Sequence, residues 1–182
     1  MQNNLSFSSV YYEGSGAPNG VPAYLDSGGL WTLGGFQNSA DSGGNAQFGY
    51  LMSSNPNDSS GDGSFYMGIP SGYVARGIIK YDAGVAGNDP AKPNYMLQGA
   101  PITLVYRGTL WFYSWDTTLA GSGTPQIGGT LAVQNATGVI DFLPYGFTSA
   151  MVPATWTVLS QTQARVKSYD SLLNAALVYF QL

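Results

Sequence analysis

The stretch Leu97–Trp115, LQGAPITLVYRGTLWFYSW, is the densest block of strand-forming residues in the chain, and the rest of the fold has to be arranged around it. In an extended chain Ile102, Leu104 and Tyr106 fall on one side and Thr103, Val105 and Arg107 on the other. After Gly108, the run Leu110-Trp111-Phe112-Tyr113 is apolar or aromatic on both sides. That pattern fits a strand covered on both faces, in a barrel core or at a subunit contact. Gly99 and Pro101 open the block, and the turn-forming residues Asp116-Thr117-Thr118 close it. The block is either one long strand bent at Gly108 or two strands joined there.

Short strand patterns flank it on both sides. Before it they fall at Ser6–Tyr12, Gly29–Leu33, Ala46–Met52, Ser64–Ile69 and Tyr73–Tyr81. After it, Thr130–Asn135 and Gly138–Leu143 predict a hairpin around Ala136-Thr137, followed by Thr155–Ser160, Ala164–Tyr169 and Ala175–Leu182. Asn55–Gly63 and Ala83–Asn94 read as loops. Residues 161–176 can be forced into helical phase, but Val166, Tyr169 and Phe180 fit it only partly, and the Ser/Asn punctuation favours a hairpin. Many short strands with Gly/Pro turns predict an all-β protein, a small barrel or jelly-roll-like domain over residues 65–182.

Residues 1–64 are different in texture. They are rich in Gly, Ser and Asn yet carry Phe7, Tyr11, Tyr12, Tyr24, Trp31, Phe36, Phe48 and Tyr50. Two readings stand side by side. The segment adds strands and loops to the same domain, or it is an arm that orders against a neighbouring surface. On the arm reading Tyr11, Tyr12, Trp31, Phe36, Phe48 and Tyr50 are the anchors, and a chain beginning near Ser64 keeps a folded β-domain. The aromatic strand residues Trp111, Tyr113 and Trp115 are candidates for a contact between copies.

Composition narrows the chemistry. Charged residues are 9% of the chain, against about 25% in ordinary domains. Six scattered basic residues and a net charge of −4 argue against nucleic-acid binding. There is no histidine and no cysteine, which removes the commonest general base, the commonest zinc ligand and all disulfide chemistry. The start, MQNNLSFSS, lacks a signal-peptide pattern, so synthesis in a cytoplasm is expected.

Motifs for a site are weak. Asp58-x-Ser60-x-Asp62-Gly63 imitates the opening of a calcium loop, but Ile69 stands where the closing acid belongs. Glu13 and the nine Asp residues sit singly in turn-like contexts, which does not suggest a carboxylate dyad. The four Trp and thirteen Tyr could line a sugar platform, though in all-β proteins such residues more often fill cores and interfaces. No catalytic set, metal site or cofactor is expected.

From about Tyr73 onward the chain carries Val74-Ala75-Arg76-Gly77-Ile78-Ile79, Leu97-Gln98-Gly99-Ala100-Pro101-Ile102, Val105-Tyr106-Arg107-Gly108-Thr109-Leu110-Trp111, Gly128-Gly129-Thr130-Leu131-Ala132-Val133 and the closing strand Ala175–Leu182. In these pieces and their order it resembles the structural cement, or decoration, proteins of tailed-bacteriophage heads. Thr130 stands where that family usually has an acid. The resemblance implies a small β-barrel or jelly roll acting as a homo-oligomer, a dimer or trimer. Its implied partner is the major capsid protein on the outside of the virion head, with neither nucleic acid nor membrane bound. The other reading is a β-type tail, collar or fibre-tip protein with glycan affinity.

Overall fold

The computed structural model describes residues 19–23, 30–37, 46–57, 63–81, 88–89, 92–96, 98–119, 123–144, 147 and 149–182. Fourteen strands are present among them, with one 3-10 turn at Ser149–Met151. They are β1 (Val21–Pro22), β2 (Trp31–Gln37), β3 (Ala46–Gln47), β4 (Leu51–Ser54), β5 (Ser64–Met67), β6 (Val74–Ile79), β7 (Asn88–Asp89) and β8 (Lys92–Met96). After these come β9 (Pro101–Phe112), β10 (Leu131–Gln134), β11 (Ile140–Phe142), β12 (Trp156–Leu159), β13 (Ala164–Asp170) and β14 (Ala175–Gln181).

The block around residue 100 is one continuous strand, β9, and it is the axle of the molecule. Its first half pairs with β2 on residues 101–107 and with β6 at Leu104 and Val105. Its second half pairs with β14 on residues 107–112 and with β1 at Leu110 and Trp111. The strands β9, β2, β5, β4 and β6 close on themselves as a five-stranded barrel, with β2–β5 the one parallel joint. The strands β14 and β13 extend the same sheet beyond the barrel, and β11–β10–β12 form a separate three-stranded layer.

Burial on both faces occurs in this block at Leu104-Val105, not along Leu110–Tyr113, where Trp111 and Tyr113 are only half-buried. Ile78-Ile79 of β6 lie opposite Val105-Leu104 of β9. Leu104 and Ile79 point into the barrel core with Met52, Phe65, Met67 and Ile102. Val105 and Ile78 point the other way, into a second core shared with Leu110, Phe112, Val178 and Phe180 and closed by Leu131, Val133 and Phe142 of the three-stranded layer. The pair β6–β9 is thus the wall between two cores, and no polar residue could serve on either side of it.

Both predicted hairpins form. β10 and β11 pair in antiparallel register, and residues 161–176 are strand and turn rather than helix, with β13 and β14 paired from Ala164↔Phe180 to Asp170↔Ala175. Two expectations are corrected. Ala46–Met52 is not one strand: a turn separates β3 from β4, with Gly49 at φ 83°, a backbone region glycine enters without strain. Ala83–Asn94 is not wholly loop, because β7 and β8 fall within or overlap it and β8 pairs with β3. Pro93 inside β8 hid that strand, since proline lowers strand propensity and is tolerated only where its missing N–H is not needed. The strand expected at Ser6–Tyr12 lies outside the described residues.

Residues 1–64 supply β1 to β4 and the first residue of β5. Two of the five barrel strands, β2 and β4, come from this segment, so a boundary at residue 64 runs through the barrel. Asn19 ties the same segment to the end of β9. Its Oδ1 accepts the N–H groups of Tyr113 (2.8 Å) and Ser114 (3.0 Å), and its Nδ2 donates to the Ser114 carbonyl (2.6 Å). At about 1 kcal/mol net per hydrogen bond, Asn19→Ala is expected to cost about 2–3 kcal/mol. For a chain of this size that is a fall of roughly 5–10 °C in Tm, read by thermal circular dichroism. A fall below about 2 °C would contradict the clamp.

Candidate functional site: an aromatic and basic sheet face

The sheet β13–β14–β9 has one face in the second core, through Val166, Val178, Phe180, Leu110 and Phe112. Strand alternation places Arg165, Tyr179, Gln181, Arg107, Trp111 and Tyr113 on the opposite face. These residues are connected. Gln181 is the register partner of Arg107, and Tyr179 is the partner of Arg165. The Tyr179 hydroxyl donates to Gln181 Oε1 at 3.0 Å. The Arg165 guanidinium lies 5.2 Å from the Tyr179 ring centre and the Lys167 ammonium 5.9 Å, both within cation–π range. Trp111 and Tyr113 stack with ring centres 6.4 Å apart and planes 27° apart.

Two β-bulges build this face. Between Trp31 and Thr32 the register to β9 shifts, so that both Tyr106 and Arg107 stand opposite Trp31. Tyr106 meets the Trp31 ring edge-on at 6.1 Å, and the Arg107 guanidinium lies 5.5 Å from it. In the β13–β14 pair the shift falls between Val166 and Ser168, and Lys167 is the extra residue. A third bulge, in the β4–β6 pair, makes Arg76 the extra residue, and its Nε donates to Ser54 Oγ at 2.6 Å. Bulges re-aim side chains, and here each one directs a basic residue outward.

The face therefore holds Arg107, Arg165 and Lys167, three of the six basic residues of a chain with net charge −4. All three are exposed. Sequence reasoning treated them as scattered because they lie on two strands 58 positions apart at the closest, 107 to 165, and only the β9–β14–β13 pairing joins them.

The residues singled out from the sequence divide. Trp31 and Phe36 are each 50% exposed, on one barrel strand. They do not form a single row: Leu33 and Gly35 pair with the barrel-core residues Leu104 and Ile102, whereas Phe36 pairs with Pro101 on the other side. Phe48 is corrected: at 2% exposure it is a barrel-core side chain, edge-on to Tyr81 at 4.8 Å, and cannot anchor a partner. Tyr50 packs against the same core, half-buried. Tyr11 and Tyr12 lie outside the described residues, as do Asp58, Ser60 and Asp62 of the calcium-like loop. Trp111 and Tyr113 belong to the aromatic and basic face. Trp115 does not: it lies beyond the end of β9, edge-on to Phe142 at 5.0 Å and to Tyr169 at 6.2 Å.

Among the described residues no three His, Cys, Asp or Glu side chains cluster as a metal site. No protein-family model matches the chain, and no curated protein matches it.

Proposed function

We propose that this protein is a structural subunit of a virion, of the cement or decoration type, that binds the outer surface of the major capsid shell and braces it. The observation that carries this reading is the outer face of β13–β14–β9, where Trp111, Tyr113 and Tyr179 are joined by Arg107, Arg165 and Lys167. Aromatic residues and Arg are the types most enriched at the energetic centre of protein interfaces. A basic face on an otherwise acidic chain also selects an acidic partner surface over a second copy of itself. Stabilisation would follow from mass action: a ligand bound only by the assembled shell stabilises it by RT ln(1 + [L]/Kd), repeated over the lattice. The half-exposed Trp31, against Arg107, extends the same contact. Self-association as a dimer or trimer would then use a different surface, with the half-exposed Phe36 beside Pro101 as its natural centre.

The test is co-sedimentation with expanded empty heads. The intact protein is expected to pellet with heads. Arg165→Glu combined with Lys167→Glu is expected to weaken that association more than tenfold, while the loss of two exposed cation–π contacts to Tyr179 lowers Tm by only a few degrees. Absence of the intact protein from the head pellet at low salt would overturn the proposal.

A further inference from the structure

Beyond Phe112 the chain runs as Tyr113-Ser114-Trp115-Asp116 over the joint between the barrel and the three-stranded layer. Two cavities adjoin this stretch and share Ser114 and Trp115 as their common wall. One, of about 250 Å³, is bounded by Gln47, Tyr50 and Asp116. The other, of about 370 Å³, is bounded by Thr117, Tyr169 and Asn174. We propose that these paired clefts bind an uncharged saccharide two rings long, with Trp115 between the rings.

The size of the clefts favours such a ligand. Drug-sized ligands occupy roughly 300–1,000 Å³, so each cleft suits a single ring rather than an extended apolar molecule. The lining chemistry narrows the class further. A sugar ring offers C–H faces to an aromatic wall and a dense set of hydroxyls to planar polar groups. The first cleft supplies both kinds of partner. Asp116 Oδ1 accepts the Thr118 N–H at 2.7 Å, and Oδ2 takes no donor from the described protein. The Gln47 amide makes no hydrogen bond to the described residues, and a side-chain amide carries two donors and an acceptor. Among the described residues no Lys or Arg bounds either cleft, and the Asp116 carboxylate repels anions. Phosphorylated, sulfated and sialylated ligands are thereby disfavoured. A wholly apolar ligand would strand Asp116 and Gln47 without partners, which is costly.

The clefts are also held in shape before any ligand arrives. Trp115 is fixed by its edge-on contacts with Phe142 (88° between planes) and Tyr169 (75°). The Asp116 N–H donates to the Ile140 carbonyl at 3.0 Å, and Asn19, itself in the lining of the first cleft, clamps Ser114. Asn174 stands at φ 48°, a left-handed backbone that asparagine tolerates better than most residues, and its Oδ1 accepts the Tyr169 hydroxyl at 3.0 Å. Tyr169 is thus held as the second aromatic wall. Rigid walls lower the ordering cost of binding a weak, flexible ligand.

This inference does not rest on the capsid reading: the clefts lie beyond the Phe112 end of β9, share only Tyr113 with the basic face, and have their own readout. The experiment titrates the full chain with maltose, cellobiose, lactose and N,N′-diacetylchitobiose, followed by saturation-transfer NMR and tryptophan fluorescence. At least one of these is expected to saturate. Gln47→Ala and Asp116→Asn should each weaken it about tenfold, equivalent to about 1.4 kcal/mol, with Tm unchanged. Trp115→Phe should remove the fluorescence change. Failure of all four sugars to bind would overturn the proposal. So would binding undiminished in both Gln47→Ala and Asp116→Asn, or preference for sialyllactose or adenosine over the uncharged disaccharides.

Discussion

A chain beginning at Ser64 is expected not to fold. The truncation removes β1 to β4, and with them two barrel strands. β5 would lose both of its neighbours at once, since its partners are β2 and β4. β6 would lose β4, and the first half of β9 would lose β2. An opened barrel exposes strand edges that have no other partner. The apolar loss points the same way. Phe48, Leu51 and Met52 are buried in the two cores, and each such side chain is worth about 1.5–3 kcal/mol. Three of them together approach the whole stability of an ordinary domain, about 5–15 kcal/mol. The measurement is far-UV circular dichroism with a thermal scan. The truncated chain should show no cooperative transition, whereas the full chain should melt in one. A truncated chain that gives a β spectrum and a sharp melt would mean that residues 65–182 close a core of their own.

Much of this architecture was legible in the sequence, for physical reasons that can be named. The apolar run Leu110–Tyr113 and the alternation through Ile102–Arg107 marked β9, but β9 walls two cores at Leu104-Val105, while Trp111 and Tyr113 look outward from the sheet. The β10–β11 hairpin was legible as two short, continuously buried runs around a turn, and the β13–β14 hairpin as two largely alternating runs around a polar turn. In the second, the Asp170 carboxylate caps the turn, with Oδ1 accepting the Leu172 and Leu173 N–H groups at 2.9 and 3.2 Å. What stayed hidden is what depends on pairing between distant segments. No local pattern says that β2 joins β5 in parallel and β9 in antiparallel register. The basic face was invisible for the same reason. Arg107, Arg165 and Lys167 are isolated charges in sequence, and two bulges with a three-strand register bring them onto one surface. The Trp115 clefts were hidden more deeply, since their walls come from β3, from the stretch after β9 and from the β13–β14 turn.

The two halves of the molecule meet at a pair of glycines, and a methyl group placed there should be among the most damaging single changes in the chain. Gly138, in the β10–β11 turn, sits at φ 79°, and Gly68, just after β5, at φ 72°. Their backbones interlock through Leu51. The Leu51 N–H donates to the Gly138 carbonyl and the Gly68 N–H to the Leu51 carbonyl, both at 2.9 Å, while the Ile69 N–H donates to the Asn135 carbonyl at 2.9 Å. These bonds seat the hairpin of the three-stranded layer directly on the barrel. A Cβ on Gly138 would overlap the Leu51 carbonyl oxygen, and one on Gly68 would overlap the Asn135 carbonyl oxygen. Neither obstacle is a side chain that can swing away. Gly138→Ala therefore combines left-handed backbone strain, about 1–3 kcal/mol, with a backbone clash whose relief must break at least one of these hydrogen bonds. A loss of about 3 kcal/mol or more is expected, seen as a shift in the denaturation midpoint with little change in m-value. Gly72→Ala is the matched control: it has the same sign of φ, at 83°, but open space around the added carbon. It should lose only the strain, about 1 kcal/mol. Equal losses at positions 138 and 72 would show that backbone strain alone matters and that the joint between the layers is not where their stability is coupled.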